Sequence, residues 1–194
     1  MKNVITGKSR INANKLDEVM AMLSERTRSF RFVHDLERFT VAAIELLLKD
    51  AGIPVPAGTK DIALYLGIDN AVEDIKNEFW GNIVKDGILG ASPLLFPFTS
   101  PNALAAQATI VLDIRGESIV SPVKSSIDSV IAYADECMSE NYISMAIAGG
   151  IISPDVKSDE RAPDYQADFF FIENPESARN RDARIYGSVQ EVCA

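Results

Sequence analysis

The segment Glu117-Ser-Ile-Val-Ser-Pro-Val-Lys-Ser-Ser-Ile-Asp-Ser-Val-Ile-Ala-Tyr-Ala-Asp-Glu-Cys-Met-Ser-Glu140 reads as a strand, a tight turn and a helix. From Glu117 to Val123 the β-branched residues favour a pleated strand. From Ser125 to Glu140 small and apolar residues interleave with polar ones at helical spacing. Tyr142 to Ala148 follows as a second apolar strand, ending at Gly149-Gly150. A strand, a crossover helix and a strand in this order build a parallel sheet with helices on its faces.

The same alternation extends upstream. Pro101 opens a helix through about Leu112, since proline suits the first helical turn. The preceding Ser92–Asn102 stretch holds Pro93, Pro97 and Pro101 and reads as an extended loop. Asn70 to Asp86 reads as a helix, and Asp61-Ile-Ala-Leu-Tyr-Leu-Gly67 as a buried strand. Phe32 to Gly52 is an amphipathic helix, with Val33, Leu36, Phe39, Ala42, Ala43, Leu46 and Leu47 on its apolar face and Gly52 as its stop. Asn12 to Arg28 reads as a polar helix or arm, and Val4–Gly7 as a short strand ending at glycine.

Downstream, Asp155–Tyr165 is a charged loop, Asp168-Phe-Phe-Phe-Ile-Glu173 a strand, Pro175–Arg179 a helical turn and Ala183–Val192 a final strand. The expected architecture is α/β: a mixed sheet of about five strands, helices on both faces, and one domain over residues 1–194.

Bulk properties exclude several function classes. A net charge of −9 argues against nucleic acid, whose phosphates require clustered Lys and Arg. It argues equally against an anionic membrane surface. The longest apolar run, Met145–Ile152, is too short to span a bilayer. The N-terminal residues lack the apolar core of a signal peptide, so the expected location is the cytoplasm. The two cysteines, Cys137 and Cys193, show no metal spacing, and His34 is the only histidine. Multi-histidine zinc sites and conventional histidine triads are therefore excluded, and no cofactor or metal is expected.

Several of these segments, in order, resemble the N-terminal half of β-ketoacyl synthases. Asp35–Gly52 is similar to that family's first long helix, and Leu64-Tyr-Leu-Gly67 to the strand after it. Ser92–Gln107 resembles the loop and helix before the active-site strand. Ile114-Arg-Gly116 resembles the turn that follows, with Glu117 in place of a proline. Ser126–Ala134 resembles the nucleophile helix, and Met145–Gly150 the next strand. Asp168–Glu173 with Glu176–Tyr186 resembles the end of that half. The resemblance implies half of a thiolase-like fold, in which two similar α/β halves normally meet.

It also implies what the chemistry would need. Decarboxylative condensation uses a thiolate where strand turns into helix, oxyanion donors, and histidines from the second half. Here two registers, one residue apart, leave Lys124 or Ser125 at the nucleophile position, and Ile127 where the motif has glycine. A lysine there would have its amine pKa depressed by the helix dipole, and a serine would need a base that the sequence does not supply. Cys137 falls further along the helix, at a position expected to pack in the core. The carboxylates Asp35, Glu37 and Asp50 read as solvated, as does the Arg179, Arg181, Arg184 run.

The resemblance therefore implies an accessory, chain-length-factor-like subunit, catalytically inert alone, in fatty-acid- or polyketide-type biosynthesis. It would form a heterodimer with a full-length ketosynthase and shape its acyl tunnel. Ser118, Ile119, Val120, Ser121 and Val123 are the expected interface residues, and Phe96, Phe98, Asn102 and Ile127 the expected pocket wall. An acidic acyl carrier protein would meet mainly the active partner, because like charges slow encounter. Two alternatives remain: a homodimer that binds an acyl chain or small hydrophobic ligand, and a small acyltransferase using Ser125. A half-thiolase unit also carries an unpaired face and an unpaired sheet edge, and such edges invite pairing.

Overall fold

The computed structural model describes residues 2–59, 61–124, 126–140, 143–153 and 165–192. Most of the charged 155–165 loop, Ser125 and Cys193 lie outside the described residues.

Strand β2 (Ile62–Ile68) is buried at all seven positions. An apolar run without polar alternation suits a strand covered on both faces. It pairs in parallel with β3 (Ser118–Pro122) on one side and β4 (Met145–Ile152) on the other, with Leu66 opposite Val120 and Gly149. β5 (Gln166–Glu173) runs antiparallel to β4, and β1 (Val4–Asn12) antiparallel to β5. A two-residue strand, β6 (Gly187–Ser188), bonds the start of β1. The sheet thus has six strands in the order β3-β2-β4-β5-β1-β6, and β3 is an edge.

Alternating residues feed two cores. Ile62, Leu64, Leu66, Phe169 and Phe171 face α3 (Asp35–Asp50) and α5 (Asn102–Leu112) in the larger one. Ala63, Tyr65, Ala146, Ala148 and Ile172 face α6 (Asp128–Glu140) in the smaller one. Leu36, Ile44, Leu47 and Leu48 of α3 are fully buried; each such side chain contributes about 1.5–3 kcal/mol. Helix α3 starts with a capping box: His34 Nδ1 accepts from Leu36 N at 3.0 Å, and Glu37 Oε2 accepts from His34 N at 3.3 Å. It ends before Gly52, whose φ of +71° is the left-handed conformation that glycine adopts without strain.

Five expectations need correction. Strand β1 does not stop at Gly7 but continues to Asn12; Gly7 marks a bulge where a Cβ would lie 2.7 Å from Ala51 Cβ, so glycine there permits α3 to approach. The Asn12–Arg28 arm is broken into a 3-10 turn and two short helices, α1 (Leu16–Ala21) and α2 (Glu25–Ser29), the second capped by Ser24. The 70–86 helix begins with a 3-10 turn and becomes α4 at Glu73–Asp86, while the proline-rich loop contains a 3-10 turn at Phe96–Thr99. After α7 (Pro175–Asn180), the expected Ala183–Val192 strand is only Gly187–Ser188, followed by the single-turn helix α8 (Val189–Val192). Glu191 Oε2 accepts from Ser188 N at 2.8 Å, which closes that turn instead of extending the ladder.

Candidate functional site

The parallel strands β3, β2 and β4 end on the same side of the sheet, where α/β folds place their sites. Val123 N donates to Ile68 O at 3.1 Å, which ties the exit of β3 to the end of β2. Asp69 joins the next pair of strands, accepting from Ala71 N at 2.9 Å and from Ser153 N at 2.6 Å. Helix α6 settles close to the strands because two glycines admit it. A Cβ on Gly67 would lie 2.8 Å from Val130 Cγ2, and one on Gly150 would lie 3.0 Å from Ile127 Cγ2.

Helix α6 begins at Asp128, later than the expected Ser125. Ser126 Oγ accepts from Asp128 N at 3.1 Å and donates to Asp128 Oδ2 at 2.6 Å. These bonds form a turn ahead of the helix. Lys124 is therefore an exposed residue of the preceding bend rather than part of the helix's first turn, and it makes no ion pair among the described residues. Ile127 is buried against Gly150.

Cys137 lies in the smaller core, as its position on the helix implies, within hydrogen-bond reach of the Tyr65 and Tyr133 phenols, whose rings meet edge to face at 5.8 Å. Tyr65 donates its phenol proton to Glu117 Oε1. Burial, and then the Glu117 carboxylate, push the Tyr65 phenol well above its ordinary range. The hydrogen bond with Cys137 raises that of Tyr133. No histidine is near: His34 caps α3. Among the described residues, no group of three His, Cys, Asp or Glu is arranged to hold a metal ion.

The expected pocket residues are not brought around one cavity. Phe96 is exposed and packs at 5.6 Å on Phe79 of α4, Phe98 belongs to the larger core, Asn102 is exposed at the start of α5, and Ile127 lies in the smaller core. Of the edge residues, Ser118 is exposed, Ile119, Val120 and Ser121 are half-buried, and Val123 turns into the α6 core.

One carboxylate read as solvated is not. Glu37 is 1% exposed; its Oε1 has no partner, and burial raises its pKa despite the backbone N–H groups of Val33 and His34 on Oε2. Asp35 and Asp50 are exposed as expected. Arg181 is not a solvated member of an arginine run: it forks onto the fully buried Glu173 and donates to Ala51 O at 2.6 Å.

Two surface features escaped the sequence reading. Trp80, Val84, Ile88, Leu89, Leu94 and Phe96 project from α4 and the turns after it, Leu89 being 94% exposed. Arg28, Arg31 and Arg38 with Phe30 and Phe32 line an open hollow of about 570 Å³ beside the start of α3. Each was hidden in sequence because helical spacing alone does not say which face remains uncovered.

Residues 2–155 match the family model described as the β-ketoacyl synthase N-terminal domain. The chain belongs to this family. Its fold is similar to that of the ishigamide ketosynthase/chain length factor, with a TM-score of 0.66 and 16% identity over 95% of this chain and 61% of that one. It is similar also to a type II polyketide ketosynthase solved in complex with its acyl-carrier protein (TM-score 0.67, 17% identity, 95% and 65% coverage). A β-ketoacyl synthase from Burkholderia phymatum STM815 gives a TM-score of 0.66 at 16% identity, with 95% and 62% coverage. The chain thus spans less than two thirds of the length of these ketosynthase-fold structures. No curated protein sequence matches it. Among the described residues, no helix is long and apolar enough to cross a membrane.

Proposed function

We propose that this ketosynthase-like chain, residues 1–194 acting as one unit, is a non-catalytic cytoplasmic subunit. It pairs with an active β-ketoacyl synthase and forms part of the wall around the growing acyl chain, in polyketide- or fatty-acid-type synthesis. The observation that carries this reading is the open edge of β3. Its five residues, Ser118–Pro122, include no charge, and among the described residues they form no ladder on their outer side. Soluble proteins usually guard such an edge with charge, a bulge or a covering segment.

The exposed apolar group on α4 and its following turns supports the same reading, since contiguous apolar surface marks an interaction site. The chemistry agrees: Cys137 is packed beside two phenols, Lys124 lies on an open bend, and no described histidine stands near either. An acidic carrier protein would meet this subunit at the Arg28 and Arg31 hollow rather than along Arg179–Arg184, where Arg181 is committed to Glu173.

The test is co-expression with a full-length type II ketosynthase, read by gel filtration and by the length distribution of the acyl products. A stable complex that changes product length, and that Ile119→Lys abolishes, supports the proposal; no complex overturns it. Incubation of the chain alone with an acyl-thioester, followed by intact mass, should give no adduct. An adduct that Ser125→Ala removes would establish an acyltransferase instead.

A further inference from the structure

The hollow beside the start of α3 is unlike the rest of this acidic chain. Arg26, Arg28, Arg31 and Arg38 fall within one short stretch, although the net charge of the chain is −9. The structure gives these cations different work. Arg26 donates to the carbonyls of Ile110 and Val111 at the end of α5. Arg38 reaches Asp17 at 2.8 Å and lies 3.9 Å from Asp35, the one carboxylate that lines the hollow among the described residues. Arg28 and Arg31 are exposed on the hollow and form no ion pair among the described residues. Two positive charges are therefore left there without a described counter-ion.

The strap from α2 to α3 sets aromatic rings beside those charges. Phe30 leaves α2 with an extended ψ of 140°. Phe30 and Phe32 are half-buried and pack on the larger core, while Arg31 and Val33 are exposed. That period of two is the alternation of extended backbone. The two rings lie 5.0 Å apart, inclined at 52°, and both line the hollow. His34 lines it as well. Its Nδ1 accepts from Leu36 N at 3.0 Å, so the ring proton is on Nε2, which is a further donor. The backbone N–H groups of Val33 and His34 are already taken by Glu37 Oε2, at 2.9 and 3.3 Å. An anion is held here chiefly by side chains, not by the end of the helix.

We infer that this hollow binds a nucleoside diphosphate. Arg28 and Arg31 hold the diphosphate, because a guanidinium grips phosphate oxygens through parallel N–H donors. Phe30 and Phe32 carry the base, whose π-face stacks on aromatic side chains. A volume of about 570 Å³ suits such a ligand, since small-molecule sites span about 300–1,000 Å³. A bare anion would use the arginines and leave the rings empty, and a purely apolar ligand would leave the arginines unpaired. A ligand that joins a planar ring to a phosphate uses both. A nucleotide needs only the hollow of this chain, whereas the carrier contact proposed at the same arginines needs a docked protein surface.

The experiment is isothermal titration calorimetry of the full chain, alone, with ADP as the probe and with adenosine and pyrophosphate as its two parts. ADP should bind once per chain, about tenfold or more tighter than either part. Arg28→Ala/Arg31→Ala should weaken ADP about tenfold or more. Phe30→Leu should weaken ADP about fivefold or more and leave pyrophosphate unchanged. Leucine keeps the apolar contact of Phe30 with the core, and unchanged circular dichroism confirms that each variant is folded. Arg184→Ala removes an exposed arginine outside the hollow and should change nothing. No binding of ADP, an affinity unmoved by the double variant or lowered as much by Arg184→Ala, or pyrophosphate bound as tightly as ADP overturns the inference. A carrier protein that binds through Arg28 and Arg31 while ADP does not would uphold the carrier contact and overturn the nucleotide site. Ile119→Lys should abolish ketosynthase capture and leave ADP binding intact, so the two proposals fail separately.

Discussion

Replacing Arg181 with methionine should destabilise the fold more than its surface location implies. The guanidinium is 25% exposed, but the Glu173 carboxylate it holds is fully buried. Arg181 Nε lies 2.9 Å from Glu173 Oε1, and a second nitrogen lies 2.5 Å from Oε2. Thr6 and Ser177 donate to the same carboxylate at 2.5 and 3.0 Å. Arg181→Met leaves those two neutral donors and removes the one cation paired with Glu173 among the described residues, stranding a charge between β1, β5 and α7. Breaking a buried pair from one side costs about 3–5 kcal/mol, and the partial exposure of Arg181 places this case near the lower end, about 3 kcal/mol. For a chain of this size that lowers Tm by about 6–12 °C. The double variant Glu173→Gln/Arg181→Met removes both charges while glutamine still accepts from Thr6 or Ser177. It should recover at least half of the loss. Urea midpoints of the native chain, both single variants and the double variant close the cycle. The reasoning fails if Arg181→Met costs less than about 1 kcal/mol, or if the double variant is no more stable than Arg181→Met alone.

Glu37→Gln should stabilise the fold at about pH 7 and have little effect at about pH 4. Burial raises the Glu37 pKa in the fold, so its favourable contribution is complete while the group is protonated in both states and is lost as pH rises through the folded value. Urea midpoints of the two proteins that stay parallel across this range would refute that assignment. Gly67→Ala should cost about 1–3 kcal/mol, because its Cβ would fall 2.8 Å from Val130 and 2.9 Å from Val123 and force α6 outward. The displacement should be visible as a changed near-ultraviolet signal from the Tyr65–Tyr133 pair.

The fold was largely legible because its strongest signals are local. The apolar run at β2, the amphipathic pattern of α3 and the crossover from β3 through α6 to β4 each announce their type without reference to the rest of the chain. The misread elements depend on distant partners. Gly7 looks like a strand terminus until Ala51 is brought against it, and the 183–192 segment looks like a strand until only Val4 and Ile5 are left to pair with. The same limit applies to charge. Glu37, Glu45 and Glu173 are all buried, yet a glutamate carries no sequence mark of burial; Glu45 accepts from Ser24, twenty-one positions earlier, and Glu173 shares its charge with Arg181 through tertiary contacts. Cys137 was placed correctly because helical register alone puts it on the buried side of α6.

The β3–α6 crossover separates shape from chemistry. Its shape is tightly specified: Gly67 and Gly150 admit the helix, Val123 and Ile127 fill the space beneath it, and Ser126 closes the turn. What that turn presents among its described residues is an exposed lysine, while the described thiol lies further down the helix, buried beside two phenols whose pKa values are raised. An activated nucleophile needs a base or a stabilising charge within hydrogen-bond reach. The one histidine is spent on the cap of α3. The packing that holds the crossover in place also holds β3 at the end of the sheet with its outer edge open. A crossover with no reactive pair among its described residues can still fix where that edge lies, and a fixed edge is what a partner chain needs to add its own strand.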